Sequence, residues 1–500
     1  MSFVGRLFAT TNLEQLRALS ERKILRRALS GRDLIAIGLG TMIGGGIFTT
    51  VGQGVHLAGP AVIISFLIAG AASFFAALSY AELGSMVPIA GSAYTYAYAT
   101  LGKLVAWIIG FALLFEYGIS AAPVAQQFSG AFQDLLRQAF GWSTPAWMQQ
   151  SNLLVGNEWW NPLTWDFAHS QYDVMGAVFV LLLSILLSIG IRETATTNNV
   201  FVVLKISALI VFVIAGISLV HPANLHPFVP LGWGSFNPFG SGAQLGIIPG
   251  AALVFFSYIG FDTATTTAEE CRNPKRDIPF GVIGSLAIGT VIYCAVAIVL
   301  VGSVPWQKVD QTHALTGAVA PLHNAFVNWT IIMGVLAGTT SVALASLLGQ
   351  SRIFYVMARD NMLPSFVASV NPRFKTPVLM TMITGVGVAI LTLIVPLINL
   401  LNLVNIGTMS AFIVVCAGVI YLRYKRPDIP RSFRTPFVPL FPILGIVLSA
   451  FLAVFCLSQQ TWIWFGGCLI VGLLLFFCYG FWKSDPANIK PVEEPEALLE

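Results

Sequence analysis

Charge is what this chain has least of. Only 10% of its 500 residues are Asp, Glu, Lys or Arg, while 56% are hydrophobic and the mean hydropathy is +0.80. A soluble protein of this length carries about a quarter charged residues, so a large water-facing surface is excluded. The net charge of +4 provides no basic surface, and no nucleic-acid partner is expected. The cysteines (Cys271, Cys294, Cys416, Cys456, Cys468, Cys478) form no CxxC pair and sit mostly inside apolar runs. They read as small packing residues, neither a disulfide framework nor a metal site. His221 and His226 flank prolines in one loop, and no His, Cys and carboxylate cluster has ligand spacing. Clustered nucleophiles and acid–base pairs are missing too, which argues against an enzyme; no catalytic residue, metal or cofactor is expected.

What the chain has is apolar length. Runs of about twenty residues, enough to cross roughly 30 Å of hydrocarbon, recur from Leu34 almost to Trp482. The expectation is an all-α polytopic membrane protein of twelve spans, at about 33–58, 60–84, 93–128, 173–191, 199–220, 243–268, 281–302, 321–357, 377–396, 402–422, 437–457 and 461–482. No cleavable signal peptide is expected, because the first apolar run is long and follows a polar, basic stretch. Residues 1–32 form a cytoplasmic N-terminal segment (Arg6, Arg17, Arg22, Lys23, Arg26, Arg27, Arg32), with a short amphipathic helix on the membrane surface. With that end inside, only Arg137 and Lys308 fall outside and Lys205 falls within the membrane. The other basic residues are cytoplasmic, so both termini are placed inside the plasma (inner) membrane. The largest outer loop, about 129–172, is rich in Trp (Trp142, Trp147, Trp159, Trp160, Trp165) and is expected to cap the membrane interface.

Three consecutive glycines, Gly44, Gly45 and Gly46, interrupt the first span. Each costs a helix roughly 1 kcal/mol relative to alanine, and unpaired peptide groups survive in a bilayer only against protein or a water-filled cavity. Close helix packing on small residues would explain one such site. A second interruption, Ser257-Tyr258-Ile259-Gly260-Phe261-Asp262, lies in the sixth span, five spans later. An odd interval between matching breaks means two inverted halves with a midplane site, the layout of an inverted-repeat secondary transporter. The domains expected are therefore 33–220 (spans one to five), 243–424 (spans six to ten, inverted) and 437–482 (an appended pair), followed by a cytoplasmic tail at 483–500.

Peptide N–H groups at Gly44 to Gly46, beside a half-helix N-terminus, would cradle an anion. Carbonyls around Phe256, Ser257 and Ile259 would take hydrogen bonds from a cation. A small molecule with both charges on neighbouring atoms is an α-amino acid. Phe256 is either an aromatic lid over it or a core residue. Thr339, Thr340 and Ser341 in the eighth span either line the pocket or bond back to their own helix.

Intramembrane ionisable groups are costly and so are functional candidates. Lys205, in Val202-Val-Leu-Lys-Ile-Ser207, has apolar neighbours all round and is the expected proton-coupling residue, the alternative being a permanently charged strut. Glu116, in Leu113-Leu-Phe-Glu-Tyr117, buffers a proton, faces a cationic substrate or pairs with another helix. Asp262 is expected to cap the half-helix after the second break and to act at a gate. Glu82 sits near the cytoplasmic end and reads as structural. The charge-balanced, proline-bearing run 268–279 reads as a rigid connector at an inner gate.

Several stretches together resemble the amino acid–polyamine–organocation superfamily, within it the cationic amino acid transporter group and its bacterial relatives. They are Ile43-Gly-Gly-Gly-Ile-Phe48, Tyr80-Ala-Glu-Leu-Gly84 with Pro88 and Gly91-Ser-Ala-Tyr-Thr-Tyr96, and Phe255-Phe-Ser-Tyr-Ile-Gly-Phe-Asp262. Glu269-Glu-Cys-Arg-Asn-Pro-Lys-Arg-Asp-Ile-Pro279 and Gly349-Gln-Ser-Arg-Ile-Phe-Tyr355 with Arg359-Asp360 complete the set, which covers about 30–480. The resemblance implies a leucine-transporter-type fold with a 5+5 inverted repeat and two extra C-terminal helices. It also implies that Ile43, Gly44, Gly45 and Gly46 hold a substrate carboxylate, while Phe256, Ser257 and Ile259 meet its amino group. A span-five lysine stands where sodium-coupled relatives hold an ion, which implies proton coupling through Lys205. Many relatives carry a bulkier residue in place of Gly45, so a roomier pocket between Gly45 and Thr339 is expected. Vertebrate members carry more than twelve spans, and a cationic preference is not carried over. Import of L-amino acids in symport with protons is the resulting expectation, with exchange on the same fold as the alternative.

Overall fold

The computed structural model describes residues 7–10, 29–86, 92–154, 166–189, 195–234, 245–266, 271–371, 374 and 376–484. Most of the expected N-terminal surface helix and of the C-terminal tail, Pro88, Trp159, Trp160 and Trp165, and Glu269 and Glu270 of the connector lie outside the described residues.

Helix α1 (Gly31–Met42) starts where the Ser30 amide and hydroxyl both donate to Asp33 Oδ2, at 2.8 and 2.7 Å. It stops before the glycines, and α2 (Ile47–Ala58) resumes after them. Then follow α3 (Val62–Met86), α4 (Ser92–Thr100), α5 (Lys103–Phe140), α6 (Val174–Ile189) and α7 (Ala195–Gly216). The second half of the chain gives α8 (Ile247–Val254), the one-turn α9 (Thr263–Thr266), α10 (Pro274–Ser303), α11 (Ala314–Val319), α12 (Ala325–Arg359), α13 (Val378–Ile394) and α14 (Leu397–Lys425). Helices α15 (Leu440–Cys456) and α16 (Gln459–Leu475) follow, and the last widens into a π-turn at Phe476–Gly480 before a short helical turn at Phe481–Lys483. Among the described residues eight stretches are long and apolar enough to cross a membrane, and α6, α13 and α15 are shorter apolar helices.

Two differences from expectation have local causes. The stretch expected as one span at 93–128 is α4 plus α5, because the chain turns at Leu101-Gly102; α5 then runs on to Phe140, beyond the expected end. The large outer loop holds a small hairpin, β1 (Asn152–Leu154) on β2 (Asp166–Gln171), antiparallel with Asn152 opposite Gln171. The fold is thus nearly, and not wholly, helical.

In lipid no hydrophobic force drives helices together, so close packing decides the architecture. Helix α12 lies against α5 and α7, α10 against α1 and α3, α13 against α6, and α14 against α5 and α15. Small residues set these approaches: a Cβ on Gly334 of α12 would fall 2.1 Å from Ala208 of α7, and one on Gly385 of α13 would fall 2.0 Å from the Ser184 hydroxyl of α6. The outward faces are apolar instead of charged. Helix α6 exposes Val178, Leu182, Ile185 and Ile189, and α7 exposes Val200, Val203, Leu204, Ile210 and Ile214. The α6 row keeps three- and four-residue helical steps, and in a bilayer such apolar faces meet a solvent they match.

One charged cluster inside is paired. Glu82 receives Arg423 Nε and Nη2 at 2.9 Å each and the Thr435 amide at 2.8 Å, with Arg431 at 3.2 Å. This ties α3 to the end of α14 and matches the structural role expected of Glu82.

Candidate functional site

The two interruptions meet at the centre of the molecule. Gly44 has φ +125° and Gly260 has φ +111°, a region that L side chains enter only under strain. Each turn lets a helix stop and restart in a new direction. At the second break α8 tightens into a 3-10 turn over Phe255–Tyr258 before Gly260. A Cβ on Gly46 would lie 2.3 Å from Ser257 Cα, and one on Gly44 would lie 2.6 Å from the Gly338 carbonyl carbon of α12. Main chain therefore packs directly on main chain around one point.

Hydroxyls stitch the breaks together. Thr41 Oγ1 lies 2.7 Å from the Gly260 carbonyl and 2.8 Å from Thr263 Oγ1. Thr50 Oγ1 lies 2.6 Å from Ser257 Oγ. The peptide groups of the first break are poorly matched: Ile43–Gly45 make a turn, but among the described residues no hydrogen bond of good geometry is made by the N–H of Gly44, Gly45 or Gly46. Buried unpaired N–H groups are rare and costly, and here three poorly matched ones lie in a row at the N-terminus of α2, where the helix dipole favours negative charge. The second break is less open. The Phe256 carbonyl takes the Ile259 N–H at 3.2 Å, which leaves the Ser257 side of the turn nearest to Gly46.

Lys205 is wholly buried, and its Nζ donates to the Gly40 carbonyl in the last turn of α1 and to Ser341 Oγ at 2.9 Å. Gly40 is the carbonyl that the Gly44 N–H would have taken had α1 continued, so the lysine completes the end of the first half-helix. Ser341 is thereby drawn into the site. Thr339 and Thr340 bond back to their own helix at Val335 and Leu336, the packing alternative of the two considered for them. Asp262 Oδ2 accepts from the Tyr117 hydroxyl at 2.9 Å, which connects the end of the second break to α5. Glu116 is buried one residue away, near Thr408, and neither of its oxygens has a hydrogen bond of normal geometry.

The roomier pocket expected at Gly45 is not found. A Cβ there would lie 2.7 Å from Val342 Cγ1 and 3.0 Å from Val124 Cγ2, because α12 and α5 bring two valines over it. Phe256, 4% exposed, packs in the same cluster with Leu253, Val124 and Val342. The structure thus brings Gly44, Gly45, Gly46, Ser257, Phe256 and Lys205 to one place, with Glu116 and Asp262 as a neighbouring buried pair.

Sequence reasoning passed over Thr41, Thr50, Val124, Val342, Gly338 and Asn405. The hydroxyls flanking the glycines and the asparagines of Asn399-Leu-Leu-Asn-Leu-Val-Asn405 were visible signals. The two valines were not, since nothing in an apolar run marks the residue that will cross a glycine.

Residues 29–476 match the amino acid permease family. The chain belongs to that family. The permease is 40% identical over 474 residues to a methylthioribose transporter of Bacillus subtilis (strain 168), covering 95% of this chain and 97% of that one. It is 38% identical over 482 residues to a branched-chain amino acid permease of the same organism, covering 95% and 98%. It is also 35% identical over 414 residues to a vacuolar cationic amino acid transporter of Arabidopsis thaliana, covering 82% and 65%. The resemblance to the amino acid–polyamine–organocation superfamily is therefore shown along nearly the whole permease, and these relatives are transporters, not enzymes.

Proposed function

We propose that the permease imports L-amino acids with uncharged, apolar side chains across the plasma membrane, coupled to proton entry. The observation that carries this is the row of three poorly matched N–H groups at Gly44 to Gly46 against the main chain of Ser257. A carboxylate fits the first and an ammonium the carbonyls of the second, both on one α-carbon. The side chain would then lie toward Val124, Val342 and Phe256, an aliphatic and aromatic wall that offers a cation nothing. The relative named for branched-chain amino acids agrees with that wall.

Helix pairing supports the inverted repeat. With α1 and α2 as one broken span and α4 and α5 as another, α3 packs on α10, α5 on α12 and α6 on α13. Each partner lies five spans on, as two halves related by a two-fold axis require. Transport would be alternating access, one bundle rocking on the other around the fixed breaks. Lys205, bonded to the end of α1, is the proton-coupling residue, with Glu116 as a second proton holder. The positions of Lys and Arg support cytoplasmic termini.

The test is a thermal-shift screen of the purified permease against all amino acids, followed by uptake in proteoliposomes with and without an acid-outside gradient. Stabilisation by leucine, isoleucine or valine, and gradient-driven accumulation of the same compounds, is expected. Stabilisation by lysine or arginine alone would overturn the side-chain assignment, and equal uptake without a gradient would leave exchange. Because of the 40% identical relative, methylthioribose belongs in the screen. It has neither carboxylate nor ammonium, so its binding would displace the amino acid reading of the two breaks.

A further inference from the structure

Asn405 stands on α14, the last of three asparagines spaced three apart (Asn399, Asn402, Asn405), and is wholly buried. Its Nδ2 donates to the Ala252 carbonyl at 2.8 Å and the Leu253 carbonyl at 3.3 Å. Both carbonyls belong to the last turn of α8, where the helix tightens before the second break. A buried amide facing two carbonyls must present its NH₂, since the reverse orientation would set three acceptors against one another. Asn405 Oδ1 is buried with no hydrogen bond among the described residues. Leaving a buried acceptor unpaired is unfavourable, and an aliphatic side chain at this position would avoid that cost.

The geometry repeats what Lys205 does at the first break. Lys205, on α7, donates to a last-turn carbonyl of α1; Asn405, on α14, donates to last-turn carbonyls of α8. In the two-fold arrangement α7 and α14 are the fifth spans of their halves. Each half-helix that ends at the centre is therefore held at its carbonyl end by a donor from the equivalent helix. One donor can lose a proton and the other cannot.

We propose that Asn405 is the positioning residue of the second break, a fixed donor whose titratable counterpart at the first break is Lys205. It rests on the reading of the two breaks as the substrate site. It sets where the α8 carbonyl end lies and so where the Ser257 main chain meets Gly46. Only the first break then changes its hold when a proton moves, which makes the second the stationary half of the site.

Hydrogen exchange on the purified full-length permease, with the variants Asn405→Leu and Asn405→Asp, tests this. At pH 7.5 both variants should exchange the amides of residues 255–262 at least tenfold faster than the wild type, with residues 40–47 unchanged. On acidification the two should part. Once protonated, the carboxyl introduced by Asn405→Asp has one O–H to give to Ala252, so protection should return in that variant relative to the wild type at the same pH. Leucine has no such donor, and Asn405→Leu should stay fast. If both variants loosen α8 and α14 throughout, equally and at every pH, Asn405 is only a packing residue. Wild-type protection in Asn405→Leu overturns the proposal as well. Exchange uses no substrate, so failure of leucine to stabilise the wild type would count against the transport reading and not against this one.

Discussion

His313 Nε2 stands 3.8 Å from Asp134 Oδ2, joining the loop before α11 to the far end of α5. The same ring places Nδ1 3.4 Å from Asp310 Oδ1, which also takes the amides of Thr312 and His313 at 2.7 Å. Thr316 donates to Asp134 at 3.2 Å, and Arg137 pairs with it at 2.9 Å. His56 of α2 lies against the Val309 carbonyl at 2.6 Å. Burial works against charge on His313, but the Asp310 hydrogen bond and the Asp134 and Asp310 charges outweigh it and lift the ring above its usual value, with Arg137 opposing. The His313 hydrogen bond leads in holding Asp310 well below the ordinary carboxylate range, against burial.

A pH dependence follows from those two directions. A group raised on folding stabilises fully below its unfolded pKa and loses that stabilisation as pH climbs through the folded value; a depressed carboxylate does the reverse, at acid. Wild-type melting temperature should therefore fall as pH climbs above the ordinary histidine value of about 6.5 relative to His313→Gln, which should show no such slope. Parallel curves for the two proteins would mean the loop contact is not charge-dependent.

Replacing Lys205 with Ala should reduce gradient-driven uptake to the level seen without a gradient, while thermal-shift binding of leucine is largely kept. Proteoliposome uptake at matched and unmatched pH measures the first, and ligand-induced stabilisation measures the second. Undiminished stimulation by the gradient would remove Lys205 from coupling.

Gly45→Ala and Gly46→Ala should differ in kind. At Gly45 the added methyl meets the ends of Val342 and Val124, which can be trimmed, so Gly45→Ala with Val342→Ala should bind leucine nearly as the wild type does. At Gly46 it meets the Ser257 main chain, which cannot be trimmed. Overpacking of this sort costs about 1–3 kcal/mol, roughly 5- to 150-fold in affinity, and no second-site truncation should recover it. Equal rescue of both by neighbouring truncations would show that the two breaks do not touch through main chain.

Glu82→Gln should be among the most damaging conservative changes outside the site. It leaves Arg423 and Arg431 facing a neutral amide, and removing one member of a buried pair costs about 3–5 kcal/mol. A melting temperature indistinguishable from wild type would refute the anchoring role of this cluster.

The fold was legible because a bilayer imposes a coarse rule that composition obeys: each crossing needs length and apolarity, and loops keep the charge. The breaks were legible for the converse reason, since Gly44-Gly-Gly46 and Gly260 offend against helix formation where nothing else demands it. Lys205 and Glu116 stood out as charges in hydrocarbon. Val124, Val342 and Gly338 did not, because the residue facing a glycine is chosen by a partner helix far away in sequence. The size of the space at Gly45 was misjudged for that reason: a small residue predicts room only if its neighbour is also small.

The contact of Gly46 on Ser257 has a bearing on how such carriers diversify. It is made of atoms common to every amino acid, so mutation can only add to it, and each addition pushes the halves apart. Drift is closed off at the frame and left open at the walls, where Val124 and Val342 can change one methyl at a time without disturbing the peptide groups beneath. On the proposed reading of the two breaks, exchanging a few aliphatic side chains would change the cargo while the frame beneath keeps its shape.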